Sequence, residues 1–191
     1  MIFTRIRMAS LAMMAAMAFT MPALAAAPTW TVDPATSQLG FSATQSGAPF
    51  SGSFRKWDGA IAFDPADLAH SSVKITIDIA SVTTGDADRD GNLPTGGWFD
   101  VAGHPTAVFE ATSFTHTGGN TYTAAGTLTL KGISKPVNLA FQLDITGKDA
   151  KAEGTATLDR TAFDVGTGQW AGEDVAGHQV QVKFTINAKT S

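Results

Sequence analysis

Residues 137–145 read VNLAFQLDI, with an apolar side chain at every second position. Neighbouring residues of a β-strand point to opposite faces of the sheet, so this run gives one apolar face and one polar face. Residues 180–188, VQVKFTINA, repeat the pattern. Sheets with one face in water are commonly antiparallel. The two runs therefore predict an antiparallel β protein.

Weaker runs of the same alternation extend the prediction to most of the chain. Turn residues such as Gly118-Gly119 and Lys131-Gly132 separate successive runs, which is typical of meandering hairpins. Short strands joined in this way favour a closed barrel over a sandwich, and a barrel of about eight strands can hold one small ligand. We predict an all-β fold, a single extended antiparallel β-barrel that is lipocalin-like. The nine predicted strands span residues 38–44, 50–56, 60–63, 73–79, 106–114, 121–130, 137–145, 152–158 and 180–188.

Residues 83–105 interrupt the strand pattern and predict a long loop with one short helix near residues 86–92. Within it, DADRDG at 86–91 resembles the start of a calcium loop, in which alternate carboxylates face one cation. The position that should supply a bidentate carboxylate is Gly97. The alternative is that these aspartates cap the helix at the positive end of its dipole, with Arg89 offsetting part of their charge. Capping is the favoured interpretation, and no metal ligand is assigned.

Residues 1–25 have the pattern of a secretory signal peptide. Two arginines precede an apolar run at residues 8–21, which is shorter than the roughly 20 residues that span a bilayer. Ala-Leu-Ala at 23–25 is typical of a cleavage site. We therefore expect a cleaved signal peptide, one domain over residues 26–191 and a periplasmic location.

The composition of the expected mature domain narrows its partners. Without the two arginines of the signal peptide, 11 basic and 17 acidic residues leave a formal charge of about −6. Such a surface repels the phosphate backbone, so a nucleic-acid partner is not expected. The chain has no cysteine, which excludes disulfides and an acylated lipoprotein anchor. We expect a protein that is not integral to the membrane.

Several short motifs follow one another in a fixed order. They are WTVDP at 30–34, GSF at 52–54, GAIAFD at 59–64, IDIAS at 77–81, RD at 89–90, WFD at 98–100, GTLTLKGISKPV at 126–137 and RTAF at 160–163. This order resembles the YceI-like, polyisoprenoid-binding family. The chain departs from the family pattern at Asn92, where histidine is usual, and at Ala176-Gly177-His178, which replaces a Gly-Asp turn. The resemblance implies a barrel that encloses a long apolar tail, such as an isoprenoid quinone or polyprenyl lipid, without catalytic residues or cofactors.

The apolar faces of the strands and the aromatic residues of the loops supply candidate ligand contacts. Basic side chains for a polar head group would be Arg55, Lys56 or Arg160, and none is favoured over the others. The predicted binding residues are Phe41, Phe54, Trp98, Phe99, Phe109, Leu128, Phe141, Phe163, Trp170 and Phe184.

One loop sequence occurs twice, as TGGWFDVAGH at residues 95–104 and as TGQWAGEDVAGH at residues 167–178. The two copies are either ordinary turns before the strands that follow, or two loops at one mouth of the barrel. In the second case Trp98 and Trp170 would contact the entering tail, since indoles suit a rim that is apolar inside and wet outside. His104 and His178 would then be candidates for a head group or a metal, which would need a further ligand.

Signatures of catalysis are missing from the sequence. It contains no Gly-x-Ser-x-Gly elbow, no phosphate-binding loop ending in Lys-Ser/Thr and no His-Glu-x-x-His pair. We therefore assign no catalytic residue and expect a carrier for an isoprenoid or other long-chain lipid, with a membrane redox protein as a candidate partner. An enzyme acting on such a lipid and an exported calcium-binding β-module remain alternatives.

Overall fold

The computed structural model describes residues 26–191, which form one sheet of eleven strands. The expected signal peptide lies outside the described residues. The strands are β1 (Thr29–Val32), β2 (Gln38–Gln45), β3 (Ala48–Phe54), β4 (Trp57–Ala62), β5 (Ser72–Asp78), β6 (Val82–Thr83), β7 (Thr106–Gly118), β8 (Thr121–Leu130), β9 (Ile133–Thr146), β10 (Asp149–Asp159) and β11 (Gln179–Thr190). The α-helix α1 spans Ala87–Asn92, and 3-10 turns span Leu68–His70, Ile79–Ser81, Arg160–Phe163 and Gly168–Trp170.

Eight of the strands close a barrel. Their order is β1-β4-β5-β7-β8-β9-β10-β11, and β11 pairs back onto β1 through Trp30 and Thr190. Strands β2, β3 and β6 continue from β11 beyond the reach of the short β1. Neighbouring strands run antiparallel, as in the pairing of Phe141 on β9 with Tyr122 on β8. The predicted closed antiparallel barrel of about eight strands with one short helix is confirmed.

The number and limits of some strands differ from the prediction. β1 has four residues and β6 has two, so neither is long enough to show a clear alternation. β4 begins at Trp57, earlier than the predicted residue 60. Its inward positions are Trp57, Gly59 and Ile61, and the glycine in the middle interrupts the apolar pattern. These strands depend on pairing with neighbours more than on their own sequence.

The alternation of β9 is realised as predicted along most of its length. Val137 is buried, whereas Asn138, Gln142 and Asp144 are exposed. Ile145, at the end of the hairpin, is 38% exposed and so departs from the pattern. The inward side chains pack into a core cluster that includes Phe109, Leu128, Val137 and Phe163.

The barrel has two unlike ends, which we call the loop end and the turn end. The loop end carries the first loop, residues 84–105, and the second loop, residues 160–178. The turn end carries the β7–β8 and β9–β10 hairpin turns, and aromatic side chains pack across it. There Trp30 Nε1 donates a hydrogen bond to the Phe63 carbonyl at 2.9 Å, and the Phe63 and Tyr122 rings meet edge to face. Bulky aromatic side chains therefore fill the turn end.

None of the helices formed by residues 26–191 has the length and apolar character required to cross a bilayer.

Candidate functional site

A cavity of about 720 Å³ lies inside the barrel. Its wall reaches from Trp30 and Ala188 near the turn end to Gln45 and Gly177 at the loop end. The volume is in the range of small-molecule binding sites. Between its ends the wall consists of the inward-facing apolar side chains of the strands, so the cavity suits a long apolar group.

All ten side chains predicted as ligand contacts line this cavity. Phe109, Leu128 and Phe163 are only 7%, 8% and 2% exposed and belong to the core cluster, so packing accounts for most of their surface. The other predicted contacts are partly exposed. Contact of any of the ten with a ligand stays a prediction.

Part of the wall was missed by the sequence interpretation. Phe50 shares the inward register of β3 with Phe54 and could have been recognised from that spacing. It extends a row of rings along one side of the cavity, which we call the aromatic row: Phe50, Phe41, Phe54 and Phe99, with successive ring centroids 6.3, 5.7 and 6.1 Å apart. Trp57, Phe63, Ile75, Ile77 and Leu93 also line the cavity.

The polar side chains that line the cavity all lie at the loop end. They come from the end of β2, from α1 with its cap and from the start of the second loop. They are Thr44, Gln45, Asp86, Asp88, Arg89, Asn92 and Arg160. The cavity is therefore apolar for most of its length and polar at one end.

The first loop places α1 at this polar end through capping hydrogen bonds. The Asp86 carboxylate accepts from the Arg89 backbone N–H at 3.0 Å, so the predicted cap is confirmed. Asp90 accepts from the Thr84 hydroxyl and backbone N–H, both at 2.7 Å, and from the Thr83 hydroxyl at 2.9 Å. The bonds from Thr84, led by its hydroxyl, lower the pKa of Asp90. These aspartates organise the loop, and residues 26–191 contain no cluster of three metal-ligating side chains.

Arg89 is held among several partners. Its Nε donates to the Thr84 hydroxyl at 3.3 Å, and Nη1 donates to Gln45 Oε1 at 3.2 Å. Nη2 lies 3.5 Å from Asp86 Oδ2, and the guanidinium carbon lies 4.7 Å from the centroid of the Phe50 ring. Arg89 thus joins the helix to β2 and to the aromatic row.

Arg160 was a candidate from the sequence for binding a lipid head group. In the structure its guanidinium has a structural role instead. Its side chain is 5% exposed, and all five N–H groups of a guanidinium find backbone carbonyl acceptors. Burial lowers the pKa of the guanidinium while the neighbouring Asp159 acts against that shift. Arg55 and Lys56 are exposed and do not line the cavity. The acceptors of Arg160 are the carbonyls of Val165, Gly166, Trp170, Ala176 and Gly177, at 2.6 to 3.0 Å.

The two copies of the repeated loop sequence meet at the loop end. The Gly97 carbonyl accepts from the backbone N–H groups of Gly166 and Thr167, at 2.9 and 2.8 Å. Lys131 Nζ donates to the carbonyls of Gly96 and Asp164, both at 2.7 Å. The indoles of Trp98 and Trp170 are in contact, with ring centroids 5.7 Å apart. The first and second loops therefore form one structural unit.

The two copies nevertheless have different local structures. In the first, Asp100 has a positive φ of 51° and its carboxylate lies 3.0 Å from His104 Nδ1. In the second, the Gly177 backbone N–H donates to the Thr44 carbonyl at 2.9 Å, and His178 Nε2 lies 2.9 Å from the Ala171 carbonyl. Each histidine is held by a partner in its own loop, so the two copies give their histidines different surroundings.

Trp98 carries one unusual atom. Its Nε1 is buried and has no hydrogen-bond acceptor among residues 26–191. The indole also packs against the core cluster, and its ring centroid lies 5.7 Å from the guanidinium carbon of Arg160. Trp98 therefore connects the loop unit to the core, whereas Trp170 lies outside the core cluster.

Comparison with known sequences identifies a family. A family model described as a YceI-like domain matches residues 30–188. A UPF0312 protein of Ectopseudomonas mendocina is 40% identical over 120 residues, which cover 60% of this chain and 63% of that protein. A UPF0312 protein of Pseudomonas savastanoi is 34% identical over 140 residues, 70% of each chain. The match spans less than two thirds of the Ectopseudomonas protein.

Solved structures share the fold. Burkholderia cenocepacia BcnA superposes with a TM-score of 0.80 at 34% identity, over 83% of this chain and 99% of that one. A polyisoprenoid binding domain from Saccharophagus degradans, described as implicated in plant cell wall breakdown, superposes with a TM-score of 0.68 at 16% identity. That match covers 86% of this chain and 99% of the other. The second likeness shows a common fold.

Proposed function

The chain belongs to the YceI-like family, and on this premise we propose that it is an exported periplasmic protein that encloses the tail of an isoprenoid-class lipid. The cavity carries the proposal, because its wall is apolar except at the loop end. A lipid with a long apolar tail and a small polar head matches this distribution of apolar and polar surface. The tail would lie along the barrel, and the head would lie beside α1.

Burial of the tail is the source of affinity in this proposal. Each CH₂ group removed from water contributes about 0.8 kcal/mol. The aromatic row supplies flat, partly exposed ring surface on one side of the cavity. Inward aliphatic side chains of other strands, such as Leu139 on β9 and Val182 on β11, also line the cavity. Because this wall is already formed, little conformational entropy is lost when the tail binds.

The class of lipid and the location rest on separate observations. The Saccharophagus relative is described as polyisoprenoid-binding, which makes an isoprenoid the first class to test. Residues 1–25 have the pattern of a signal peptide, which supports export to the periplasm. An isoprenoid quinone held in this way would serve a membrane redox protein as recipient.

Binding is a better proposal than catalysis on the chemistry of the wall. Its titratable side chains in the described chain are Asp86, Asp88, Arg89 and Arg160. Asp86 caps α1, and Arg160 is saturated by carbonyls. The wall therefore offers no pair of nucleophile and base at hydrogen-bonding distance.

Native mass spectrometry tests the proposal. The exported protein is purified without detergent, and the expected result is a 1:1 adduct whose extracted lipid has an isoprenoid mass. A calcium adduct without lipid would support the alternative calcium-binding module. The absence of any lipid from protein that is folded by far-UV circular dichroism would contradict the proposal.

Two adjacent residues of β9 provide a matched control. Phe141 faces the cavity and Gln142 faces solvent. Phe141→Asp should abolish the lipid adduct, because an unpaired carboxylate in an apolar wall is strongly disfavoured. Gln142→Asp should retain it. Retention of the lipid by both variants would exclude the tail from this part of the cavity.

A further inference from the structure

Lys131 contacts both loops at the loop end of the barrel and belongs to neither. It lies in the turn between β8 and β9. Its Nζ donates to the Gly96 carbonyl of the first loop and to the Asp164 carbonyl of the second, both at 2.7 Å. We propose that Lys131 is a positioning residue that holds the two loops together over the cavity and thereby controls how fast the lipid enters and leaves. The inference rests on the proposed function, since it concerns exchange of the enclosed lipid.

The β8–β9 turn fixes the position from which the Lys131 side chain extends. Leu130 on β8 pairs with Ile133 on β9, so Lys131 and Gly132 make up the whole turn. Both have a positive φ, of 51° and 75°, as the central residues of the tightest hairpin turns do. A tight turn between two long paired strands moves little. The ammonium group therefore reaches the loops from a rigid part of the barrel.

The two loops have few direct connections to each other. Each is organised by its own contacts, the first through the cap of α1 and the second around the Arg160 guanidinium. Within residues 26–191, the direct hydrogen bonds between the loops all end on the Gly97 carbonyl, which accepts from the N–H groups of Gly166 and Thr167 and from the Thr167 hydroxyl. The bonds from the Lys131 ammonium are charge-assisted and so stronger than these neutral bonds. Without the ammonium group the loops should separate more often.

Separation of the loops would open the cavity, because each loop contributes an indole to its wall. Trp98 lies two positions after Gly96 in the first loop, and Trp170 lies six positions after Asp164 in the second. Both indoles line the cavity, with ring centroids 5.7 Å apart. Lys131 itself does not line the cavity. It can therefore affect the lipid only through the loops, without changing the contacts of the bound tail.

This arrangement predicts a specific change in binding kinetics. When a variant destabilises the closed loops equally with and without ligand, the on-rate and the off-rate rise together and the dissociation constant is unchanged. Loss of a ligand contact instead raises the off-rate and the dissociation constant together. Lys131→Met keeps the length of the side chain and removes its donors. It should raise both rates for geranylgeraniol about tenfold and change the dissociation constant by less than about twofold, as measured by stopped-flow tryptophan fluorescence.

Two further variants make the test specific. Lys131→Asn should give the same result as Lys131→Met, because asparagine tolerates the positive φ of the turn but is too short to reach the two carbonyls. Lys135→Met removes the same charge from an exposed lysine of β9 and should leave both rates unchanged. Unchanged rates in both Lys131 variants, weaker affinity without a faster on-rate, or an equal effect of Lys135→Met would overturn the inference and leave the proposed function intact. Failure of geranylgeraniol to bind the folded wild-type protein would contradict the proposed function, and the role of Lys131 in lipid exchange with it.

Amide hydrogen exchange in the ligand-free protein tests the same contact without a lipid. The Gly166 and Thr167 amides can exchange when they leave the Gly97 carbonyl, which requires separation of the loops. In Lys131→Met both should exchange about tenfold faster, whereas the hydrogen-bonded Leu143 amide at the turn end should be unaffected. Equal acceleration at Leu143 would show a general loss of stability and overturn the inference. Unchanged exchange of Gly166 and Thr167 in both Lys131 variants would overturn it as well.

Discussion

The indole rings of Trp98 and Trp170 lie 5.7 Å apart at an interplanar angle of 53°, although the two residues belong to different loops. Each ring covers part of the cavity at the loop end. A tryptophan can bury on the order of 200 Å², which at about 25 cal/mol per Å² gives an upper bound near 5 kcal/mol. The contact predicts that the two residues act together on ligand release.

Truncation of either indole should accelerate release. We expect Trp98→Ala and Trp170→Ala each to raise the off-rate of a bound isoprenoid about tenfold, which corresponds to roughly 1.4 kcal/mol. The double variant should show less than the product of the two effects, because the rings share a contact. Stopped-flow displacement measures all three off-rates.

Thermal unfolding midpoints distinguish an effect of the tryptophans on ligand release from an effect on packing. Trp98→Ala should also lower the midpoint, since Trp98 packs against the core cluster, whereas Trp170→Ala should change it little. The exposed neighbour Gln169 provides a control through Gln169→Ala. Large losses of stability in both tryptophan variants with unchanged off-rates would show that the two loops serve packing and do not control ligand release.

Arg160 should be intolerant of conservative replacement. A lysine has three donors in place of five, so Arg160→Lys would leave at least two buried carbonyls of the second loop without partners. We expect a loss of about 3 kcal/mol in the free energy of unfolding, measured by chemical denaturation. Arg55→Lys, at an exposed arginine, should be neutral. A loss below about 0.5 kcal/mol for Arg160→Lys would contradict the structural role.

Glycines in the wall make room for phenylalanine rings. A Cβ built at Gly154 would lie 2.5 Å from Cζ of Phe184 and 2.5 Å from the Ala140 carbonyl oxygen. Gly154→Ala should therefore push the Phe184 ring into the cavity, lower stability by about 1–3 kcal/mol and weaken binding of long tails more than short ones. Titration with geraniol and geranylgeraniol measures the last effect.

A glycine on the outer face is the control for this substitution. Gly40 lies on β2 between inward residues, and the nearest atom to its added Cβ would be the Gly52 carbonyl oxygen at 3.2 Å. Gly40→Ala should leave the preference for tail length unchanged. If both alanine variants weaken the binding of all tails equally, the phenylalanine rings do not determine which tail lengths the cavity accepts.

The stability that Asp159 contributes at the start of the second loop should depend on pH. Its carboxylate accepts from the hydroxyl and the backbone N–H of Thr161, which lower its pKa below the ordinary value of 3.8, the hydroxyl most strongly. A lowered pKa in the folded state stabilises the fold above pH 3.8, and that contribution is lost as the pH falls through the folded pKa. Asp159→Asn should lower the thermal midpoint at pH 7, and its deficit relative to the wild type should shrink as the pH falls through the folded pKa of Asp159.

Thr161→Val removes the hydroxyl that contributes most to this shift. It should reduce the difference between pH 7 and pH 2 without abolishing the backbone hydrogen bond. A deficit of Asp159→Asn that stays constant from pH 7 to pH 2 would contradict the prediction, because it would show that ionisation of Asp159 is not involved.

Local sequence determined most of the barrel. The alternation of residues 137–145 defines an apolar and a polar face whatever the rest of the chain does, since strand periodicity is a property of the backbone. The cap of α1 is local as well, because Asp86 and Arg89 are three positions apart in the sequence. Six of the predicted contacts follow from the same periodicity, because they are inward residues of strands: Phe41, Phe54, Phe109, Leu128, Phe141 and Phe184.

Tertiary structure alone decided how the loop end is arranged. The contact between Trp98 and Trp170, and the hydrogen bonds from residues 166 and 167 to Gly97, join segments about seventy positions apart. Two similar loop sequences, of ten and twelve residues, fold differently. One closes on itself through Asp100, while the other pairs with the end of β2 at Thr44. Arg160 could be recognised as a basic residue but not as a buried one, since its carbonyl acceptors exist only when the second loop wraps around it. Such contacts depend on closure of the barrel, which brings distant strand ends together, and no local pattern encodes them.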